Sequence, residues 1–319
     1  FVFSDDSGIS IDTSYLCFCF KYCNFSSTKV KMIYAKSFLT VLLALLASSL
    51  SYGFMMSMSS VLKPFENGKA LKIISGLNNF DAELVEKVSR AAYLGGATHV
   101  DIACDPELVK IAVDAGNGIP ICVSAIDPEK FVAAVEAGAS MVELGNFDSF
   151  YDSGMVFTAE DVKTMTKRTR ELLPNIPLAV TVPHTLDLVD QADLAAELEQ
   201  LGADVIQTEG KYSLEPSKGG VQGAIEKAAP TLAATREIAR SVSIPVMAAS
   251  GLNDVTAPLA QALGANGVGV GSAVNKLGDE TLMATIVKGI ANSMGLKKEH
   301  QVFVEPAAEE KPHVMELVH

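Results

Sequence analysis

The sequence predicts a single (β/α)8 barrel, because short apolar runs alternate with segments of helical periodicity eight times over roughly 230 residues. Two of these runs, Pro245–Gly251 and Ala265–Val274, end on glycine or serine and are separated by one predicted helix. Glycine allows backbone N–H groups to approach an anion closely. Two such turns, side by side at the end of a βα series, are typical of the phosphate-binding end of this barrel.

The predicted strands follow one another at near-regular spacing. They are Lys72–Leu77, Thr98–Ala103, Pro120–Ser124, Met141–Leu144, Leu178–Val182, Asp204–Thr208 and the two glycine-terminated runs. The predicted helices are Asp81–Leu94, Pro106–Ala115, Pro128–Ala137, Thr158–Leu173, Leu186–Leu201, Thr231–Val242, Val255–Leu263 and Asn275–Met294. Asp81 is the expected N-cap of the first helix, and Thr158 with Asp161 has the spacing of a capping box.

A recurring turn supports this count of eight units. The four helix-to-strand turns that share it are Leu94-Gly95-Gly96-Ala97, Glu136-Ala137-Gly138-Ala139, Gln200-Leu201-Gly202-Ala203 and Ala262-Leu263-Gly264-Ala265. A glycine just past a helix can adopt the left-handed conformation that closes the last turn. An open doubly wound sheet is the alternative fold, but the turn after strand 1, at residues 76–79, lacks a dinucleotide-binding pattern.

The segment before the barrel has the features of a targeting leader. Met32 is the first methionine, so residues 1–31 are expected to be upstream sequence added by a gene model. A basic start, an apolar run and small residues predict a signal peptide over residues 32–53, with an apolar run too short for a transmembrane anchor. The acid-poor residues 54–64 are similar to a transit peptide. Together they predict import into the chloroplast stroma, with simple secretion as the alternative.

The barrel itself is expected over residues 65–295, followed by a charged, flexible tail over residues 296–319. The chain has 25 basic and 38 acidic residues, a formal net charge of −13 and no basic tract. This balance argues against a nucleic-acid partner, and against a membrane partner for the mature form. Cys104 and Cys122 are too few for a disulfide framework and are not spaced as a metal site. The sequence does not indicate an oligomeric state.

The two-residue period of the strands predicts which polar side chains face the barrel axis. The expected inward-facing residues are Asp101, Ser124, Glu143, Thr181, Gln207 and Glu209, with His184 just beyond the rim and Lys211 in the next loop. Three carboxylates in one confined site repel each other, so they would be protonated, paired with a cationic side chain, or bound to an ion such as Mg²⁺. The candidate acid–base residues are therefore Asp101, Glu143, Glu209, His184 and Lys211. The alternative is a polar layer that only fills the barrel.

Other candidates lie at the strand ends and in the loops. The candidate phosphate-binding residues are Ser250, Gly251, Gly271 and Ser272, and the candidate substrate-lining residues are Asn78, Ser124, Asn146, Thr181 and Gln207. Two long loops, 145–157 and 211–228, are expected to act as lids. No lysine is expected in the middle of a strand, which argues against a Schiff-base aldolase.

Eight segments together resemble one known family. They are Ser75–Phe80, His99–Cys104, Cys122–Ala125, Val142–Asp148, Val180–His184, Ile206–Gly210, Glu226–Leu232 and Ala249–Leu252. They resemble the family called hypothetical chloroplast frame 23, over about residues 62–294. The resemblance implies an aldolase-type barrel of plastids and cyanobacteria, and it implies no particular activity.

Three classes of function stay open on the sequence. The first is binding, with or without conversion, of a phosphorylated small metabolite, by lyase or isomerase chemistry that uses the carboxylates. The second is an FMN-dependent oxidoreductase, because the phosphate of FMN would suit the same glycine-rich turns; the absence of arginine near them argues against it. The third is a non-catalytic protein that senses a metabolite or acts through partners.

Overall fold

A computed structural model describes residues 60–145, 147–210 and 216–296 of the chain. Eight parallel strands form a closed barrel in which each strand pairs with the next and the last pairs with the first. The strands are β1 (Ala70–Ile74), β2 (His99–Ala103), β3 (Ile121–Ala125), β4 (Met141–Leu144), β5 (Leu178–Val182), β6 (Val205–Thr208), β7 (Val246–Ala249) and β8 (Gly267–Val270). The (β/α)8 prediction is confirmed, and the open-sheet alternative is excluded.

Most of the helices surround the barrel and bury one face against it. They are α1 (60–66), α2 (Ala82–Gly95), α3 (Pro106–Gly116), α4 (Lys130–Glu136), α5 (Asp148–Tyr151), α6 (Ala159–Leu172), α7 (Leu188–Gln200), α8 (Gly220–Ser241), α9 (Ala257–Ala262), α10 (Ser272–Asn275) and α11 (Glu280–Ser293). Among the described residues, no helix is long and apolar enough to span a membrane.

Local sequence signals locate most of these boundaries. Asp81 accepts hydrogen bonds from two N–H groups of the first turn of α2, and the capping box of Thr158 and Asp161 is present on α6. The glycines that follow α2, α4, α7 and α9 have φ between 83° and 121°, as the recurring turn predicts. These local signals depend on a few neighbouring residues, which is why they could be predicted from the sequence.

Two predicted elements are corrected by the structure. The helix after β6 begins at Gly220, not Thr231, so the second predicted lid is shorter than residues 211–228. Pro230 lies inside this helix; proline usually favours the start of a helix over its interior, which explains the late prediction. The last predicted helix is divided into α10 and α11 around Gly278, which has φ 70°.

Strand β1 is also displaced from its prediction, and this changes the interior. It begins at Ala70, so Lys72 lies in the middle of the strand and is fully buried. The expectation that no lysine sits in mid-strand was therefore wrong. An ammonium group is seldom buried without a partner, and the partner here comes from β4, far along the chain. No local pattern in the sequence indicates such a pairing.

The amino-terminal end of the barrel is closed by α1. Val61 and Phe65 of this helix are buried in an apolar cluster with the lowest inward-facing residues of the strands, which are Ala70, Cys122, Met141, Ala179, Val205 and Met247. His99 anchors the helix, because its Nε2 lies 2.9 Å from the carbonyl oxygen of Val61. Residues 60–64, expected within the transit-peptide-like segment, thus belong to the folded body. The rest of the predicted leader lies outside the described residues, as does the tail after residue 296.

Candidate functional site

The centre of the barrel contains a buried ion pair between Lys72 of β1 and Glu143 of β4. Both side chains are fully buried. The second oxygen of Glu143 accepts hydrogen bonds from Gln207 Nε2 at 2.6 Å and from Thr181 Oγ1 at 3.3 Å. Burial alone would lower the pKa of Lys72, but the fields of Glu143, Cys122 and Asp101 raise it above its usual value. The lysine is therefore held as a cation.

Asp101 of β2 lies beside this ion pair. Ser124 Oγ donates a hydrogen bond of 2.6 Å to Asp101 Oδ1, while Oδ2 is buried and has no hydrogen-bond partner among the described residues. Burial raises the pKa of Asp101 to about 7, although the nearby ammonium of Lys72 opposes this. Asp101 can thus hold or release a proton near neutral pH. The period-two prediction placed Asp101, Ser124, Glu143, Thr181 and Gln207 inside the barrel, and they do lie there.

The same cluster is the nearest arrangement to a metal site in the described part of the chain. Ligand atoms of Asp101, Cys122 and Glu143 all lie within 4.8 Å of one another. Two features oppose a metal ion there: Lys72 already supplies a positive charge, and burial raises the pKa of the Cys122 thiol, which disfavours the thiolate that binds metals. We therefore treat this cluster as a polar layer built around the ion pair.

Glu209 belongs to a second group of residues, which we call the rim cluster: Asp148, Tyr151, His184 and Glu209. Glu209 Oε1 accepts from the backbone N–H of Asp148 at 2.7 Å. Glu209 Oε2 lies 2.7 Å from Tyr151 Oη, 2.9 Å from His184 Nδ1 and 3.1 Å from the backbone nitrogen of His184. Of the three carboxylates expected in one confined site, Asp101 and Glu143 bond within the central layer, and Glu209 bonds at the rim. The local period of a strand shows which way a side chain points, but not its partners.

The loop that follows β4 carries half of the rim cluster and a small aromatic core. Phe147 and Phe157 are buried with their ring centroids 4.5 Å apart, and Phe150 packs against Phe157 at 6.0 Å. Burial, and then the charge of Glu209, raise the pKa of Asp148 to about 6. This loop is therefore folded down on Glu209 and stabilised by its own apolar contacts.

The turn after β7 has an unusual backbone. Ser250 has φ 87° and Gly251 has φ 71°, so two consecutive residues are left-handed. A Cβ atom on Gly251 would lie 2.9 Å from the carbonyl oxygen of Lys227 and 3.3 Å from its Cγ, so a side chain does not fit. After β8, a Cβ atom on Gly271 would meet nothing nearer than 3.6 Å, and Ser272 is exposed.

Lys227 is a site residue that the sequence prediction missed. It lies on α8, and its carbonyl oxygen and Cγ lie beside Gly251 in the predicted phosphate-binding turn. The prediction had assigned residues 211–228 to a loop, so Lys227 had no defined position. The one available signal was that Lys227 falls within Glu226–Leu232, one of the segments that carry the family resemblance.

The structure describes some of the remaining predicted site residues but not all of them. Asn78 is exposed in the loop after β1. Asn146 and Lys211 lie outside the described residues. Ser124, Thr181 and Gln207 are buried and bonded to the central carboxylates, so they support the interior rather than line an open surface.

The closed parallel barrel, with polar residues at its centre and at the carboxyl ends of its strands, defines the molecule as a (β/α)8 barrel protein. The chain belongs to the family described as "Protein of unknown function (DUF561)", whose model matches residues 56–300.

Its relatives include proteins named "Uncharacterized protein ycf23". That of Cyanophora paradoxa is 46% identical over 223 residues, which cover 70% of this chain and 91% of that protein. That of Cyanidium caldarium is 38% identical over 247 residues, which cover 77% and 99%. The resemblance to hypothetical chloroplast frame 23 is thus confirmed.

Solved structures share the fold at low sequence identity. 3-Hexulose-6-phosphate synthase is 15% identical with a TM-score of 0.52, over 70% of this chain and 99% of that one. A truncated 3-deoxy-D-arabino-heptulosonate 7-phosphate synthase from Thermotoga maritima is 13% identical with a TM-score of 0.50, over 72% and 88%. At these identities the likeness shows the barrel fold alone.

Proposed function

We propose that the protein binds a phosphorylated small metabolite at the carboxyl ends of its strands. The phosphate would be held by backbone N–H groups of the turns after β7 and β8, at Ser250, Gly251, Gly271 and Ser272, and by the ammonium of Lys227. The observation that carries this proposal is the left-handed pair Ser250–Gly251 with Lys227 packed against it.

The backbone at Ser250 supports a binding role on energetic grounds. A non-glycine residue in the left-handed region costs on the order of 1–3 kcal/mol and is typical of binding and catalytic sites. Consecutive N–H groups in such a turn form a concave surface that suits an anion. In a chain with a net charge of −13, a lysine beside this turn would supply the local positive charge that an anion needs.

The names of two structural neighbours are consistent with this class of ligand. Both 3-hexulose-6-phosphate synthase and 3-deoxy-D-arabino-heptulosonate 7-phosphate synthase are named for phosphorylated sugars. The phosphate of FMN would suit the same turns, so FMN is included among the compounds to be tested. We further propose that the protein acts in the chloroplast stroma, in keeping with the name of its algal relatives.

Calorimetric titration with inorganic phosphate, glycerol 3-phosphate, dihydroxyacetone phosphate and FMN tests the proposal. We expect wild-type protein to bind at least one of the phosphate esters at millimolar concentration or below. Lys227→Met should weaken binding by roughly tenfold or more, because a hydrogen bond to a charged group contributes about 1.5–3 kcal/mol. Gly271→Asp should abolish binding without unfolding the barrel, since there is space for the side chain but its charge repels phosphate.

Two controls separate binding from folding. Lys288→Met removes an exposed lysine on α11 and should leave affinity unchanged. Gly271→Ala adds bulk without charge and should weaken binding less than Gly271→Asp. If none of the four compounds binds to wild-type protein, the proposed function is wrong.

A further inference from the structure

The rim cluster contains a carboxylate that accepts hydrogen bonds from several of its neighbours. Glu209 accepts from the N–H groups of Asp148 and His184, from the hydroxyl of Tyr151 and from the imidazole of His184. Three of these donors meet Oε2 and one meets Oε1, so most of the lone pairs of Glu209 are used within the cluster. These bonds hold His184 and Tyr151 in place around Glu209.

The contact with Glu209 defines which ring nitrogen of the neutral His184 side chain carries the proton. A carboxylate only accepts hydrogen bonds, so the proton of the neutral imidazole lies on Nδ1, which is 2.9 Å from Glu209 Oε2. The free lone pair is consequently on Nε2, which has no hydrogen-bond partner within the described ranges. The ring is held by this bond and by the edge of Tyr151, whose ring centroid is 4.9 Å away. An imidazole with an orientated, unbonded Nε2 is the usual arrangement of a general base.

The rim cluster lies next to the proposed phosphate site. Glu209 is followed by Gly210, and a Cβ atom on Gly210 would come within 2.8 Å of Ser250 Oγ. Adjacent residues are about 3.8 Å apart along the chain. The groups concerned follow three consecutive strands, with His184 after β5, Glu209 after β6 and Ser250 after β7. A short metabolite with its phosphate at the turn after β7 would therefore have its carbon atoms near His184.

We propose that His184 is the catalytic base for proton transfer on a phosphorylated hydroxycarbonyl compound, with Glu209 as its positioning residue. This inference rests on the proposed function, because the phosphate site places the substrate. A neutral imidazole can remove a carbon-bound proton when a carbonyl group stands next to that carbon and accepts the charge. Sugar phosphates in their open-chain form carry both groups, which is why this class of substrate fits the two neighbouring sites.

The step is balanced without any further reactant. Nε2 of His184 takes the proton, the C–H electron pair becomes a carbon–carbon double bond, and the carbonyl π pair moves onto oxygen to give an enolate. The imidazolium then returns a proton to the same carbon, which regenerates the original carbonyl, or to the former carbonyl carbon. In the second case the hydroxyl proton of the first carbon moves to the enolate oxygen, so that the first carbon becomes the new carbonyl. Return to the same carbon exchanges hydrogen with solvent, and return to the neighbour isomerises the compound.

Proton NMR in D₂O measures this step directly. The probes are dihydroxyacetone phosphate, ribulose 5-phosphate and fructose 6-phosphate. We expect wild-type protein to incorporate deuterium beside the carbonyl of at least one probe. His184→Asn keeps an N–H donor near Glu209 but removes Nε2, so exchange should fall at least about 100-fold. Exchange at the wild-type rate in folded His184→Asn would overturn the proposal.

The positioning role of Glu209 is tested by a separate measurement on a Glu209 variant. The charged and titratable groups that face His184 are Glu209 from β6, and Asp148 and Tyr151 from α5. Glu209→Gln should lower the maximal exchange rate and leave the half-saturating concentration of the probe unchanged, because the imidazole loses its positioning partner while the phosphate site is intact. A merely structural loss would change both quantities, which would overturn the positioning role. If His184→Asn does not fold, this comparison still tests the base.

A matched control and a binding measurement complete the experiment. Glu199 accepts hydrogen bonds from the backbone N–H and the hydroxyl of Ser243 at the opposite end of the barrel, so Glu199→Gln should exchange as wild type does. Titration of the same probes separates the two proposals: binding without exchange overturns the role of His184 alone. Absence of binding by any phosphate ester overturns the proposed function.

Discussion

Lys72 and Glu143 illustrate how one residue pair can change the interpretation of a whole interior. From the sequence, Glu143 is one of three carboxylates that would repel each other in one confined site. The structure instead pairs it with a buried lysine in a fully enclosed position. Removal of one partner from such a pair leaves an uncompensated buried charge. The free-energy cost of that charge is expected to exceed any gain from reduced repulsion between carboxylates.

Glu143→Gln should therefore destabilise the protein by about 3–5 kcal/mol, because it leaves Lys72 as an unpaired buried cation. Urea denaturation followed by circular dichroism measures the change. The double variant Lys72→Met with Glu143→Leu should recover most of the loss, since it removes both charges and keeps similar volumes. A Glu143→Gln variant as stable as wild type would contradict a structural role for this pair.

At the scale of elements, α1 shows how a residue on a strand holds a helix in place. The helix closes the amino-terminal end of the barrel, with Phe65 fully buried against the ring of His99 at a centroid distance of 4.9 Å. His99 Nε2 bonds to the carbonyl of Val61, and its Nδ1 lies 2.8 Å from Thr98 Oγ1. Both ring nitrogens of His99 thus have a hydrogen-bond partner, and full burial of the ring disfavours its charged form.

The protein should lose stability as the pH falls from about 6.5 to about 4 through His99. Burial lowers the pKa of His99 to about 4 in the folded state, whereas an unfolded histidine titrates near 6.5. The unfolded chain binds the extra proton in this interval, so the loss reaches about 3 kcal/mol below pH 4. Urea denaturation at about pH 7 and about pH 4.5 measures it.

The pH effect needs an internal comparison, because other groups titrate in the same interval. Asp101 acts in the opposite direction: its pKa is raised to about 7, so its contribution to stability is present below its unfolded pKa and lost as the pH rises. The difference between wild type and His99→Gln isolates His99, since Gln can still donate to Val61 but does not titrate. Equal losses in both proteins on acidification would contradict the assignment.

For the whole molecule, the boundary between leader and barrel decides what the mature protein contains. Helix α1, over residues 60–66, is packed into the barrel. A functional leader must therefore end before this helix, or its removal would open the amino-terminal end of the barrel. Phe54 directly follows the predicted signal peptide, and a mature protein that begins near it would retain this helix.

Residues 32–59 fused to a fluorescent reporter should direct it to the plastid in an alga with a secondary plastid. Phe54 is the first residue of the transit-peptide-like segment, directly after the predicted signal peptide. We expect it to be part of the import signal, so Phe54→Ala should divert the reporter. Fluorescence microscopy with a plastid marker measures the location, and a fusion that begins at residue 60 serves as the control. Secretion of the intact fusion would show that the leader is a simple signal peptide.

The sequence determined the fold, the direction of the inward-facing side chains and most of the helix ends, because these depend on periodicity and on residues close together in the chain. It also identified the family, through segments such as Glu226–Leu232. It could not determine the partner of Glu143, the separation of Glu209 from the central layer, or the approach of Lys227 to Gly251. Each of these joins residues on different strands or helices. Only closure of the barrel brings them together, because contacts between distant segments are set by tertiary packing and leave no local pattern.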